Sequence, residues 1–456
     1  MLINHSTASL ELLHSLCENY EEYNALCQDP RENPHVKRGL RNADGTGVMV
    51  GYTQIGNVRG YSVIDGETVP VKGSLTYRGY EIEELIEGFA GQNRFGFAEI
   101  CFLLLFGYLP TAQQLAQFEA VMAEYMYLPD QFPEDMILRA PSSDIMNKLG
   151  RSVLALYSYD PNPDNVDLEN MMRQCLELIC RFPLIIAHAF AVKQHYYDNG
   201  SLYLHRPLPG VSPAENFLHC MRRDSTFTDE EAKLLDICLV LHAEHGGGNN
   251  STFTCRALSS TGTDTYSVIA AAVGSLKGPR HGGANMQVMR QFKELQRWVT
   301  NWESDGQVAD YLAKILRREV GDGSGLIYGM GHAVYTISDP RTVLLKRYAW
   351  ELAKKHEEMA AELSLMERIE RLTPEVFASV TGKEKVMCAN VDMYSGLIYQ
   401  MLRIPPELFT PVFAAARVAG WSAHRIEEQL TGGRIMRPAY KAIARPQHYV
   451  PLEQRG

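Results

Sequence analysis

Three short segments each place a side chain capable of acid–base chemistry among residues that leave room around it. His281 lies in Gly278-Pro-Arg-His-Gly-Gly-Ala-Asn285, His332 in Gly329-Met-Gly-His-Ala-Val334, and Asp392 in Asn390-Val-Asp-Met-Tyr-Ser-Gly396. Glycines beside both histidines let backbone approach a ligand where a side chain would block it. Asp392 stands just inside the start of an apolar run with helical spacing. Two imidazoles and a carboxylate suit removal of a proton next to a carbonyl, with hydrogen bonds to the charge that develops.

Helices must position these groups. From Val48 to Thr76 the chain is rich in Gly, Val and Thr and alternates weakly, which predicts a few short strands. Beyond Tyr80 apolar residues recur at three- and four-residue steps over Glu81–Ala90, Ala98–Phe106, Thr111–Tyr125 and Leu168–Tyr196. Thr228-Asp-Glu-Glu231 has the form of a capping box opening a helix to His242, which the glycines 246–248 stop. A further helix is expected over about Tyr266–Leu276, another over Ala284–Val299, and a third over Pro406–Leu430. The last of these carries Arg417. The run after His281 would place that histidine at a helix start, where a dipole or a hydrogen-bonded neighbour can keep an imidazole neutral. The fold class is therefore mainly α, with a minor N-terminal β element.

Composition narrows the function. The chain has 456 residues and a net charge of -10, which argues against non-specific nucleic-acid binding and gives no attraction to anionic lipid. Small anionic substrates would then need a local arginine cluster. Nine cysteines are scattered without a CxxC pair, which reads as reduced thiols in a cytoplasmic protein. The acidic N-terminus (Glu11, Glu18, Glu21, Glu22) resembles neither a secretory nor a mitochondrial signal. The apolar stretch Phe182–Val192 is too short to span a bilayer and carries Pro183 and His188. Residues 1–45, interrupted by Pro30 and Pro34, are expected to form a helical arm and an extended linker.

Taken in order, eight segments resemble the citrate synthase family across nearly the whole chain. They are Gly60-Tyr-Ser-Val-Ile-Asp-Gly66, the stretch Leu75–Leu85, Leu241-His-Ala-Glu-His-Gly-Gly-Gly-Asn-Asn250, the three segments above, and the closing pair Ala416-Arg-Val-Ala-Gly-Trp421 and Arg434-Ile-Met-Arg-Pro438. The resemblance implies a large helical domain, here 46–283 plus 398–456, with a smaller helical domain, 284–397, inserted into it. It implies condensation of acetyl-CoA with oxaloacetate to give citrate and CoA. Asp392 would take the methyl proton, His281 would stabilise the enol, and His332 would activate the oxaloacetate carbonyl. His245, Arg341, Arg417 and Arg437 would hold oxaloacetate, Arg437 reaching across from the second subunit of a homodimer. CoA would contact the loop Gly325–Gly331, through Ile327, Gly329 and Gly331, together with Phe413. Acetyl-CoA and CoA would be substrate and product, with no permanently bound cofactor and no metal.

The sequence departs from common family patterns at three points. Thr336 stands where several members carry a base for CoA phosphate, Ala389 replaces a frequent proline, and Arg280 replaces an apolar residue. 2-Methylcitrate synthases use propionyl-CoA with the same catalytic groups, and a single methylene gives little discrimination in an apolar pocket. More remote readings are a metal-dependent hydrolase built on His242, Glu244 and His245, or a non-catalytic helical scaffold. The first lacks HExxH spacing and a third ligand. The second gives no reason for the histidines, Asp392 and the arginines to occur together. Gly321-Asp-Gly-Ser-Gly325 fits neither a dinucleotide nor a Walker loop.

Overall fold

The structure is a computed structural model that describes residues 37–42, 46–64, 67–431, 433–440 and 447–455. The expected helical arm and linker lie almost wholly outside these residues. Met1–Tyr52 and Thr53–Gly456 are separate compact units. In the first, a 3-10 turn at Arg38–Leu40 leads into a bridge between Arg41 and Gly47.

The second unit begins with an antiparallel hairpin, β1 (Gly56–Ile64) and β2 (Glu67–Tyr77), followed by the short β3 (Tyr80–Glu81) on β2. The strands are longer than the weak alternation suggested. Their register slips between Arg59 and Tyr61, so Gly60 sits at an irregularity. A Cβ on Gly60 would lie 2.4 Å from the Val334 carbonyl oxygen. Glycine here lets the hairpin press directly on the segment that carries His332.

Helices follow in chain order: α1 (Ile82–Ala90), α2 (Phe97–Phe106), α3 (Ala112–Tyr125), α4 (Ile145–Leu156), α5 (Leu168–Tyr197), α6 (Pro213–Met221), α7 (Asp229–His242) and α8 (Asn250–Ser259). They continue with α9 (Thr265–Lys277), α10 (Ala284–Trp298), α11 (Asp305–Leu316), α12 (Pro340–Ala353), α13 (Glu357–Thr381), α14 (Val391–Met401) and α15 (Phe409–Leu430). The bounds match the periodicity closely. The expected Pro406–Leu430 helix opens instead with a separate 3-10 turn at Pro406–Leu408. α5 is long and apolar enough to cross a membrane, but 83% of its apolar window is buried inside the protein. It packs against α4, α6 and α15, as a core helix does.

α15 is the central element, touching α2, α4, α5, α7, α8 and α9. Most of its residues are buried, including Arg417, His424 and Arg425 at 0% exposure. A helix buried on nearly every side must find partners for its polar groups inside the core. α10 packs on α14, and α11 on α13.

The predicted capping box is present: the Thr228 hydroxyl accepts from Glu231 N–H, and the Glu231 carboxylate accepts from Thr228 N–H. Glu231 also forms a bidentate pair with Arg222 at 2.8 and 2.9 Å, and Arg222 continues to the Leu402 carbonyl. Truncation would leave a buried guanidinium without its carboxylate. Glu231→Ala is therefore expected to cost roughly 3–5 kcal/mol of stability, measured by denaturant unfolding. A loss below about 1 kcal/mol, the range of an exposed pair, would contradict this assignment.

Candidate functional site

The loop between α7 and α8 carries His245 and is held from several sides. The Arg417 Nε–H donates to the His242 carbonyl at 2.6 Å, and Gly420 N–H to the Ala243 carbonyl at 3.1 Å. From β2, the Tyr77 hydroxyl donates toward the Val240 and Glu244 carbonyls at 2.9 and 3.1 Å. His242 donates from Nδ1 to the Cys238 carbonyl at 2.8 Å, and burial drives its pKa down to about 3. It is a neutral structural imidazole.

Arg417 and His245 both carry side-chain nitrogens left over from this network. Both Nη atoms of Arg417 and the Nε2 of His245 are buried without a hydrogen-bond partner. Burial lowers the Arg417 pKa to about 10, still charged at neutral pH, with Glu244 and Tyr77 opposing the fall. His245 is pushed well below its usual pKa by burial and by the charges of Arg341 and Arg417. Its ring meets that of His332 edge-on, centroids 5.3 Å apart. Phe413, one turn before Arg417, lies with its ring 4.7 Å from the guanidinium carbon and 4.8 Å from the His242 ring.

His332 sits in an irregular, bent segment against the hairpin and stacks on Tyr335 at 4.7 Å. Its Nδ1 accepts from the Val334 and Tyr335 N–H groups, at 3.0 and 3.1 Å. Two backbone donors leave Nδ1 unprotonated, so the neutral ring carries its proton on Nε2. Arg341, at the start of α12, is already engaged: Nε and Nη2 donate to Asp339 at 3.0 and 2.7 Å. Only its Nη1 is left over.

Asp392 occupies the first turn of α14, as the sequence indicated. The Asn390 side chain accepts from the Asp392 N–H at 3.0 Å and donates to the Gly331 carbonyl at 2.8 Å. Asn390 N–H donates to the Gly329 carbonyl, and Gly331 N–H to the Cys388 carbonyl. One residue thus fastens the carboxylate's helix to the His332 loop. Burial raises the Asp392 pKa to about 6, against the lowering charge of Arg341. In that loop Gly329 and Gly331 have φ of +85° and +87°, which side chains rarely adopt. Ile327 is buried between them and Gly325.

His281 precedes the helix that begins at Ala284, as the sequence indicated. It lies in the turn before α10, three residues ahead of Ala284, with its N–H donating to the Gly278 carbonyl. Its pKa falls to about 4 through burial first and the Arg417 charge second. The ring Nε2 is 3.0 Å from the Ser251 hydroxyl, which also accepts from Trp421 Nε1–H at 3.2 Å and lies 2.9 Å from Asn249 Oδ1. Ser251, Asn249, Asn390 and Asp339 escaped sequence reasoning because their partners are remote or common in turns. The Asn249-Asn-Ser251 stretch beside His245 was the only local signal for Ser251.

His245, His281, Asp392 and Arg341 all lie within electrostatic reach of Arg417. Arg437 is not brought to them: it is exposed in the segment after α15 and has no ion-pair partner among the described residues. No group of three or more His, Cys, Asp or Glu side chains among the described residues could hold a metal, which leaves the hydrolase reading without ligands.

A family model described as citrate synthase, C-terminal domain, matches residues 44–439. The chain is 36% identical over 387 residues to a citrate synthase of Deinococcus radiodurans, covering 84% of this chain and 93% of that one. It is 34% identical over 394 residues to a citrate synthase of Synechocystis sp., covering 84% and 88%. A 2-methylcitrate synthase of Shewanella oneidensis is 31% identical over 399 residues, covering 85% and 94%. Among solved structures, citrate synthase from Thermotoga maritima superposes with a TM-score of 0.71 at 28% identity, covering 92% of this chain and 99% of that one. Citrate synthase from Thermoplasma acidophilum, solved in a ternary complex with carboxymethyl coenzyme A and oxaloacetate, gives 0.75 at 25%, covering 93% and 100%. A helical fold of this topology, with two neutral imidazoles and a carboxylate arranged around a buried arginine, belongs to an acyltransferase of the citrate synthase family.

Proposed function

We propose that this enzyme condenses acetyl-CoA with oxaloacetate and water to give citrate and CoA. The observation that carries the reading is the Arg417 guanidinium, wholly buried with both Nη atoms unpaired, beside the unpaired Nε2 of His245. A buried, directional pair of donors suits a carboxylate. Oxaloacetate supplies one there, and the remaining Nη1 of Arg341 takes part in the same clamp. Arg437 is the arginine that a second subunit lends, in a C2 dimer whose large and small domains (46–283 plus 398–456, and 284–397) close over the substrates.

Asp392 removes a proton from the thioester methyl group. A carboxylate with its pKa raised to about 6 is a stronger base than an ordinary one yet still ionised at neutral pH. Electron density moves onto the thioester oxygen, which receives a hydrogen bond from neutral His281. When the Ser251 hydroxyl turns from Asn249 Oδ1 to donate a hydrogen bond to His281 Nε2, the neutral imidazole holds its own proton on Nδ1 for this purpose. The nucleophilic carbon then attacks the oxaloacetate ketone, and His332 passes its Nε2 proton to the new alkoxide. Water hydrolyses the resulting thioester, releasing CoA and citrate. The loop Gly325–Gly331, with Ile327, Gly329 and Gly331, presents backbone groups to CoA, and Phe413 lies near the acyl end. CoA enters and leaves as substrate and product, and no bound cofactor is required. The cysteine distribution supports a cytoplasmic enzyme.

A second reading, 2-methylcitrate synthesis from propionyl-CoA, is favoured by the 31% identity to the Shewanella enzyme. Thiol release from each thioester, with and without oxaloacetate, separates the two. Citrate synthesis requires a higher kcat/KM for acetyl-CoA, and no oxaloacetate-dependent release from either would contradict both.

Asp392→Asn keeps the side-chain shape and should lower kcat roughly 10²–10⁴-fold, while wild-type kcat in that variant would remove Asp392 as the base. The pH profile carries a sign. The base must be ionised, and its folded pKa is raised, so kcat/KM for the thioester should be full above about pH 7 and fall as pH drops through about 6. An acid limb near pH 4, the ordinary carboxylate range, would contradict the burial argument. Ser251→Ala should lower kcat roughly tenfold to hundredfold by freeing the His281 ring, with little change in oxaloacetate KM; an equal rise in KM without loss of kcat would show another role. Arg437→Ala should leave the dimer intact in sedimentation while raising oxaloacetate KM by about tenfold or more. Unchanged oxaloacetate kinetics would refute the shared site.

A further inference from the structure

His245 lies between two residues that are tied to each other. The Glu244 Oε1 accepts from Gly246 N–H at 2.5 Å, closing a tight ring of atoms around the backbone of His245. The same oxygen is 3.0 Å from His424 Nε2 on α15. The other ring nitrogen of His424, Nδ1, is 2.7 Å from Arg256 Nη1 on α8. A guanidinium only donates, so Nδ1 must be unprotonated and the His424 proton sits on Nε2, donated to Glu244. Arg256 is in turn paired with Glu427 at 2.7 Å and Glu428 at 3.0 Å on the last turns of α15. Glu244 and His424 are 0% exposed and Arg256 is 8% exposed.

This chain of buried polar groups is more than the loop needs for support. Arg417 Nε, Gly420 N–H and the Tyr77 hydroxyl already hold the loop backbone. What His424 adds is control of one side chain, Glu244. Space for it is kept open by glycine: a Cβ on Gly420 would lie 2.5 Å from Glu244 Oε2, and one on Gly56 2.8 Å from its Cγ. Burial alone would raise the Glu244 pKa, but His424, Arg417 and the Gly246 N–H outweigh it and hold the carboxyl below its usual range. The acceptor that clamps the two sides of His245 is therefore an ionised carboxylate fixed by His424.

We infer that the buried Arg256–His424–Glu244 chain is a positioning device that aims the His245 imidazole at oxaloacetate, with His424 as the residue through which it acts. The inference rests on the functional reading above. It assigns no chemistry to His424, whose ring nitrogens are both taken by Arg256 and Glu244. It concerns oxaloacetate alone, because nothing in the chain touches the Gly325–Gly331 loop.

Two substitutions separate positioning from simple support. His424→Gln reaches as far as Nε2 and can both donate to Glu244 and accept from Arg256. His424→Asn can accept from Arg256 but is too short for Glu244. Measured by thiol release, His424→Asn should raise oxaloacetate KM on the order of tenfold, the effect of losing one charge-assisted hydrogen bond, with acyl-CoA KM unchanged. His424→Gln should restore oxaloacetate KM to within about threefold of wild type. Wild-type oxaloacetate KM in the Asn variant overturns the inference. So does a parallel rise in both KM values, or loss of folding in the melting curve, since either would make His424 a support for the core. A wild-type enzyme without oxaloacetate-dependent thiol release would instead overturn the functional reading, and this inference with it.

Discussion

Arg417 lies on a helix buried on nearly every side, and a guanidinium placed there without partners costs several kcal/mol. Its Nε reaches the His242 carbonyl, its face packs on Phe413, and Glu244 supplies a countercharge nearby, yet both Nη atoms remain unbonded. The surrounding structure tolerates this unfavourable group, which is what the proposed anion site would require. Burial shifts His245, His281 and Asp392 most, and the Arg417 charge adds to the fall at both histidines while opposing the rise at Asp392. The two histidines stay neutral, able to donate hydrogen bonds, and the carboxylate remains ionised but more basic than usual.

The rest of the fold serves to keep that geometry. α15 carries Arg417, Gly420, Trp421 and His424 within two turns, and these reach the α7–α8 loop, Ser251 and Glu244. The hairpin contributes Tyr77 to the same loop and, through Gly60, presses on the His332 segment. Asn390 then joins that segment to the helix of Asp392. Each segment that would do chemistry is therefore fastened to another segment far away in the chain. Preorganisation of this kind puts the cost of ordering into folding rather than into the reaction step.

Much of this was legible in the sequence, for physical reasons that can be named. Helical periodicity gave α2, α3, α5 and α7 to within a residue or two, because each has an apolar face or is apolar throughout. The capping box at Thr228 is a local pattern and was visible as one. Asp392 inside a helix start was equally local. What failed was the cause of the His281 shift: the sequence pointed to a helix terminus, whereas burial and an arginine 136 residues away determine it (417 − 281). The pairing of Arg341 with Asp339 was overlooked although the two are almost adjacent, since Asp-Pro reads as a helix cap and does serve as one. The Arg256–His424–Glu244 chain joins positions more than 160 residues apart, and no spacing rule could assemble it. Strand length was underestimated because glycines such as Gly60 and Gly73 occupy covered positions of the hairpin and blur the alternation.

The measurement that bears most directly on this account is calorimetric titration of oxaloacetate into the wild-type enzyme and into Arg417→Gln. If the unpaired Nη atoms receive a substrate carboxylate, the substitution should weaken binding by roughly a hundredfold or more, the consequence of removing one partner of a buried charge pair, while the melting temperature holds or rises as an isolated charge leaves the core. Oxaloacetate bound with wild-type affinity by Arg417→Gln would contradict the assignment of Arg417 as the anchor of the site.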